Sequence, residues 1–222
     1  VTAQNIITAK RITLTAAYFA DCTGDATVGV LAGADFEISM NEPMGFSNLW
    51  NVEDVGKPVA FPRCPWALDL SDKPFPGRHG QDGAYGASGP LALGEWFWES
   101  GFYKNPFTEA ENIRDWNLRA MYGAWDCLKN VDSVYPNYDL KWAAYIAGKR
   151  ESRRLIGDIL LTQEDLKNQV QFPDGFIATG WKMDVHIPHE KYNKGFEDNA
   201  FISHDVQTDY PKPFLVPYRT LY

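Results

Sequence analysis

Long apolar runs, closely spaced glycines and paired cysteines are all missing from this chain of 222 residues. No stretch approaches the roughly 18 uninterrupted apolar residues of a membrane helix, so no segment reads as a bilayer span. None of the 18 glycines has another glycine two positions away, which excludes a GxGxxG dinucleotide turn, and GxxxxGK[ST] is absent too. Neither a GxSxG elbow nor an HExxH helix is present. The three cysteines, Cys22, Cys64 and Cys127, are odd in number and show no CxxC spacing. That argues against a disulfide framework and a zinc site, and they read as buried free thiols. Cations are also in the minority, 21 Lys and Arg against 29 Asp and Glu, for a net charge of −8. Without a basic stripe, nucleic acid is excluded as a partner.

What remains is the composition of a folded chain, 45% hydrophobic and 23% charged, long enough for one large domain or two small ones. Aromatics reach 14%, with 8 Trp, 11 Tyr and 13 Phe, which suits a thick core or a cleft for a ring-bearing ligand. The chain opens on Val1 with strand-like alternation and stops on Tyr218-Arg219-Thr220-Leu221-Tyr222 without polar fraying, so it reads as a piece of a longer polypeptide.

Residues 6–20 are rich in β-branched and aromatic types, with a hairpin turn expected near 8–11. Asp21-Cys22-Thr23-Gly24-Asp25 then forms a turn into a short helix through Val28 and Leu31, closed by Gly33. Such a turn can offer backbone N–H groups to an anion, with Asp25 as the helix cap, or be a capped turn without a ligand. Residues 35–70 read as short strands broken by Pro43, Pro58, Pro62 and Pro65. The period-three run Gly77, Gly80, Gly83, Gly86 and Gly89 reads as a surface loop or a lid. A strand over 94–101 puts Trp96 and Trp98 on one face, as a stacking platform or as core. Thr108 and Glu111 predict a capping box for a helix over about 109–130, with Ala110, Ile113, Met121, Ala124, Trp125 and Leu128 on its buried face. Strands are expected at 142–147, 155–161 and 177–185, and a short helix capped by Thr162 with Asp165. Between the first two strands, Gly148-Lys149-Arg150-Glu151-Ser152-Arg153-Arg154 is the densest positive cluster. It suits a phosphate or carboxylate, or a solvated ion-pair network. Pro188 between His186 and His189 argues against a helical metal pair.

Several of these segments, taken in order, resemble the FAD-dependent oxidoreductases of the glutathione-reductase-like type found in bacteria beside polysaccharide-degrading enzymes, sometimes labelled xanthan-lyase-like. Tyr18 to Ala26 resembles the family's strand entering its Thr-Gly-Asp-Gly turn, with Ala26 where the family often has Gly. The Leu31–Ala34 and Gly56–Val59 segments, Trp125–Asn130, Gly148–Asp158, Gly180–His186 and Pro217–Tyr222 are similar as well. The family's upstream glycine turn and its later Ala-Gly-Arg segment have no counterpart here. The resemblance thus implies the family's middle: residues 1–34 as a remnant of the FAD-binding domain and 35–222 as a substrate-facing domain.

The implied fold is α+β, a largely antiparallel sheet with packed helices, plus the tail of an α/β FAD-binding domain. The implied chemistry is hydride transfer between a small-molecule or carbohydrate substrate and flavin, in a parent polypeptide whose remainder is a partner of this chain. Thr23, Gly24, Asp25 and Arg153 are the implied cofactor-side residues. His186, Asp184 and Arg150 are the candidates for proton transfer and substrate anchoring. Lacking the glycine turn, the isolated chain is expected to bind FAD poorly. The alternative is a non-catalytic carbohydrate-binding module built on Trp96, Trp98 and Trp181. A glycoside hydrolase using Glu95 and Glu99 is a weaker third reading, since same-strand carboxylates seldom flank a cleft.

Overall fold

The structure, a computed structural model, describes residues 1–39, 43–80, 98–196, 200–210 and 213–222. Among the described residues the strands pair antiparallel, in six small sheets rather than one large one. β1 (Thr2–Gln4) and β2 (Arg11–Thr13) form an exposed hairpin, Thr2 facing Thr13. The pairing ends earlier than the apolar pattern predicts because Asn5 Oδ1 accepts from the Ile7 and Thr8 N–H groups and draws them into the turn. Residues 14–20 form no strand, and Tyr18 is 92% exposed.

α1 (Thr27–Leu31) ends as expected at Gly33, whose φ of 85° lets the Gly33 N–H reach Val30 O and the Ala34 N–H reach Gly29 O. β3 (Phe36–Ile38) follows and pairs far along the chain with β9 (Arg153–Leu155). β4 (Phe46–Asn48) is the centre of a three-stranded sheet, flanked by β6 (Trp98–Ser100) and β8 (Gly148–Lys149). β5 (Trp50–Asp54) pairs with β7 (Tyr138–Ala143), so the strand predicted at 142–147 lies earlier, and 155–161 is largely irregular.

The long helix is α2 (Ala110–Asp126), which runs on into a π turn over Cys127–Val131. Its buried face is the predicted one except at its first residue: Ile113, Met121, Ala124, Trp125 and Leu128 are at most 1% exposed, while Ala110 is half-buried. Met121, Ala124, Trp125 and Leu128 share a core with Trp50, Trp98, Phe75, Phe201 and Ile202, and the Trp50 ring lies 5.5 Å from Trp98 and 5.7 Å from Trp125. The aromatic surplus is therefore largely core. The predicted capping box does not form: Glu109 precedes the helix without a side-chain cap. Asn105 instead holds the turn before it, its side chain accepting from the Phe107 and Thr108 N–H groups. One polar side chain on the buried face, Asn117, donates to Phe46 O and Asn48 Oδ1 at 2.7 and 2.9 Å and so pins α2 to β4.

α3 (Gln163–Lys167) carries the Thr162–Asp165 capping box that the sequence predicts. The strand expected over 177–185 is two strands, β10 (Gly175–Thr179) and β11 (Met183–Pro188), separated at 180–182. β10 pairs with β13 (Phe214–Pro217). β11 pairs with β12 (Ser203–Thr208), and α4 (Glu190–Asn193) lies between those two strands in the chain.

The β11–β12 ribbon is inverted. Val185, Ile187 and Val206 share a face that is exposed, at 48, 38 and 45%. The opposite face, with Asp184, His186 and Ser203, turns inward against β6.

Candidate functional site

Two clusters flank the cationic block, and the block joins them. The first is the turn before α1. Asp21 accepts from the Thr23 N–H, the Thr23 hydroxyl and the Gly29 N–H, at 2.9, 2.6 and 2.8 Å. These bonds, that of Gly29 foremost, hold the Asp21 carboxyl below its usual range. The Thr23 hydroxyl in turn accepts from the Thr27 N–H. Thr23 and Asp21 thus serve the helix start, and Asp25 does not cap it as the sequence suggested. The reason is the backbone: Ala26 is left-handed, with φ 53°, and the Asp25 side chain turns away to Lys149. Burial pushes the Asp25 carboxyl up. The hydrogen bonds from Lys149 and Ser152, with the Lys149 and Arg153 charges, outweigh it and keep the group below its usual range.

Arg153 Nε donates to Asp25 O at 2.9 Å, and its guanidinium lies 4.5 Å from the Phe107 ring centre, with Phe36 at 5.9 Å. Arg154 pairs with Glu37. Glu151, the block's one carboxylate, accepts from the Met44 N–H at 2.9 Å. Arg150 Nη2 stands 3.7 Å from Asp184 Oδ2. Each of the four cations has an oxygen partner within the chain, so the block is first an internal clamp between elements distant in sequence.

The second cluster is buried. β6 projects Glu99, fully buried, against the inward face of the inverted ribbon. His186 Nδ1 lies 2.6 Å from Glu99 Oε2, and the Ser203 hydroxyl donates to the same oxygen at 2.8 Å. On the other side of the ring, His186 Nε2 faces Asp184 Oδ1 at 3.6 Å. The backbone at this point is held too, since the His186 N–H donates to Met44 Sδ at 3.3 Å. Glu99 Oε1, Asp184 Oδ1 and His186 Nε2 are buried atoms without a hydrogen-bond partner among the described residues.

The three substrate-side candidates, Arg150, Asp184 and His186, therefore lie in one row. The four cofactor-side candidates, Thr23, Gly24, Asp25 and Arg153, gather at the turn. Glu99 and Ser203 complete the buried row, and sequence reasoning missed both in this role. The signal available for Glu99 was the alternation that sets a carboxylate beside the buried Trp98 on β6; nothing local marked Ser203.

Trp98 is wholly buried, so it cannot serve as a sugar-stacking platform; Trp181 is 74% exposed. Trp96, Glu95 and the glycine run beyond Gly80 lie outside the described residues. Glu99, paired to His186, is sealed from any sugar arriving from solvent. Among the described residues no group of three or more His, Cys, Asp or Glu could hold a metal, and no helix is long and apolar enough to cross a membrane.

Residues 94–222 match the family model described as FAD dependent oxidoreductase. No curated protein and no solved structure matches the chain.

Proposed function

The chain belongs to the FAD-dependent oxidoreductase family, and from that premise we propose that it is the middle of a flavoenzyme that moves a hydride between a substrate carbon and flavin. Residues 1–34 are the tail of the FAD-binding domain, and 35–222 face the substrate. The substrate class is a small polar molecule, carbohydrate-related in the fullest form of the proposal. The observation that carries the reading is the clamp at 149–153, which ties the Thr23–Ala26 turn to the Asp184–His186 row and so holds a cofactor-side and a substrate-side group in one frame.

The donor set at the turn fits part of FAD. The Gly24, Asp25 and Ala26 N–H groups have no acceptor among the described residues, and a Cβ at Gly24 would meet nothing within 4 Å. Arg153 keeps its two terminal nitrogens for a ligand, its Nε being used by Asp25 O. The Asp25 carboxylate accepts hydroxyl hydrogens and repels phosphate, so this edge suits the polyol portion of the cofactor. The pyrophosphate needs a glycine turn at a helix N-terminus, which the sequence does not contain. When bound, FAD supplies the hydride acceptor at its N5.

On the substrate side, Arg150 anchors an oxygen of the substrate, and Asp184 with His186 takes up the proton released as a hydroxyl becomes a carbonyl. The test uses the flavin-loaded full-length parent. His186→Ala should slow flavin bleaching by substrate about 100-fold, within the usual range for a general base, while substrate affinity and flavin retention hold. Equal loss of rate and affinity would assign His186 to packing. The chain by itself should bind FAD weakly, and a stoichiometric yellow complex on gel filtration would contradict that.

A further inference from the structure

We infer that Glu99 is a positioning residue that fixes the tautomer of His186 and makes Asp184, not the imidazole, the group that meets the substrate. The tautomer half of this inference stands on the buried geometry alone; the kinetic half rests on the oxidoreductase reading above.

Glu99 is fully buried; its Oε2 accepts from the Ser203 hydroxyl at 2.8 Å and lies 2.6 Å from His186 Nδ1. Oε2 already acts as an acceptor toward Ser203, so we place the hydrogen of the second contact on Nδ1 and leave Nε2 with its lone pair. The carboxylate cannot swing away to another partner. A Cβ on Gly45 would come within 2.9 Å of Glu99 Cγ and 2.6 Å of Ser100 O, so that glycine fills the remaining space beside the stem. The Met44 sulfur holds the backbone of the histidine in the same way.

Nε2 faces Asp184 Oδ1 at 3.6 Å. His186 is 3% exposed and its Nε2 lacks any hydrogen bond among the described residues, whereas the Asp184 side chain is 21% exposed. Asp184 turns Oδ1 inward to the ring at 3.6 Å and Oδ2 toward Arg150 at 3.7 Å. A molecule arriving from solvent therefore meets Asp184 and Arg150 first.

The proton steps balance as follows. The substrate O–H bond would break with its proton passing to Asp184 and the oxygen's electron pair forming the carbonyl, while a bound flavin would supply the acceptor for the hydride lost from carbon. The proton on Asp184 then passes to the Nε2 lone pair, leaving an imidazolium between two carboxylates. Without Glu99 the ring is free to hold its hydrogen on Nε2, and that second transfer has no acceptor.

The chain labelled with nitrogen-15 histidine tests this by NMR, with His186→Gln used to assign the resonance. The expected wild-type spectrum shows His186 protonated at Nδ1 and bare at Nε2, with a far-downfield Nδ1 proton that exchanges slowly with water. Glu99→Gln should abolish that proton signal and mix the tautomers, while Asp184→Asn should leave it in place. In the flavin-loaded full-length parent, Glu99→Gln and Asp184→Asn should each slow flavin reduction by about 100-fold with KM little changed. A wild-type His186 protonated at Nε2, or an Nδ1 signal that survives Glu99→Gln, would overturn the positioning role. The wild-type spectrum decides that point even where the variant fails to fold. An intact tautomer beside full activity of Asp184→Asn would overturn the role given to Asp184. If no substrate reduces the flavin at all while the tautomer is as expected, the oxidoreductase reading falls and the positioning by Glu99 stands.

Discussion

Replacing Gly123 by alanine should destabilise the protein, although alanine is the better helix former. Gly123 lies on the buried face of α2, and a Cβ there would stand 2.1 Å from Leu68 O and 3.1 Å from Leu68 C. These are backbone atoms, so no rotamer change relieves the clash. The segment opposite cannot retreat freely either, because the Leu68 N–H donates to Arg119 O at 3.0 Å. The helix is equally fixed, since Ala120, Met121, Ala124 and Trp125 beside it are all fully buried. Overpacking of this kind costs about 3 kcal/mol at the upper end of its usual range. The gain in helix propensity returns about 1 kcal/mol. A net loss near 2 kcal/mol in a chain of this length lowers Tm by about 4–8 °C. Differential scanning calorimetry of Gly123→Ala checks the value. Gly180→Ala is the control, because its Cβ would come no closer than 3.8 Å to Pro213 Cγ, and Tm should hold. If Gly123→Ala melts at or above the wild type, the close approach of α2 to the 64–68 segment is wrong.

Two further outcomes follow from individual groups. Burial pushes the Cys64 thiol up and the Cys127 thiol up to about 11, while Cys22 is exposed. A thiol-reactive dye should therefore label one cysteine in the folded chain, Cys22, and the other two only on denaturation; a second fast-reacting thiol would contradict this. At the chain's far end, Arg219 donates from Nη2 to Asp174 Oδ1 at 2.9 Å and from Nε to Oδ2 at 3.1 Å. Its guanidinium lowers the Asp174 carboxyl from 3.8 to about 2. A depressed carboxyl contributes its stability above the unfolded value of 3.8 and loses it as the pH falls through about 2. Asp174→Asn should therefore flatten the loss of C-terminal amide protection across that acid window, and an unchanged acid profile would count against the pair.

The elements read most directly from the sequence are those that local chemistry decides. The α2 face follows from helical spacing, the Thr162–Asp165 box from two side chains three residues apart, and the end of α1 from the conformational freedom of Gly33. The short strands were harder, because their partners are distant: β3 meets β9 and β4 meets β8 across about a hundred residues of chain. Propensity sees an apolar and aromatic run such as residues 14–20 and cannot see that, past the Leu14–Val1 backbone contact, it forms no strand. The same locality explains Arg78, which pairs with Asp132 and bonds three backbone carbonyls, a structural arginine that no spacing announces.

The candidate site shows the limit in another way. The alternation of β11, taken by itself, turns Val185 and Ile187 inward and Asp184 and His186 to solvent. The ribbon does the reverse, because the inward side already holds a carboxylate, Glu99, that a valine would leave unpaired. An unpaired buried carboxylate costs several kcal/mol, more than two half-exposed aliphatic side chains lose to water. The same comparison makes a hydrophobic Glu99 the informative variant: Glu99→Leu removes the reason for the polar face to stay inside. The β11–β12 ribbon should then loosen or turn over, seen as faster amide exchange at 184–187 and 203–206. If exchange there stays as slow as in the wild type, the buried carboxylate is not what orients the ribbon, and Ser203 and the Met44 contact must suffice.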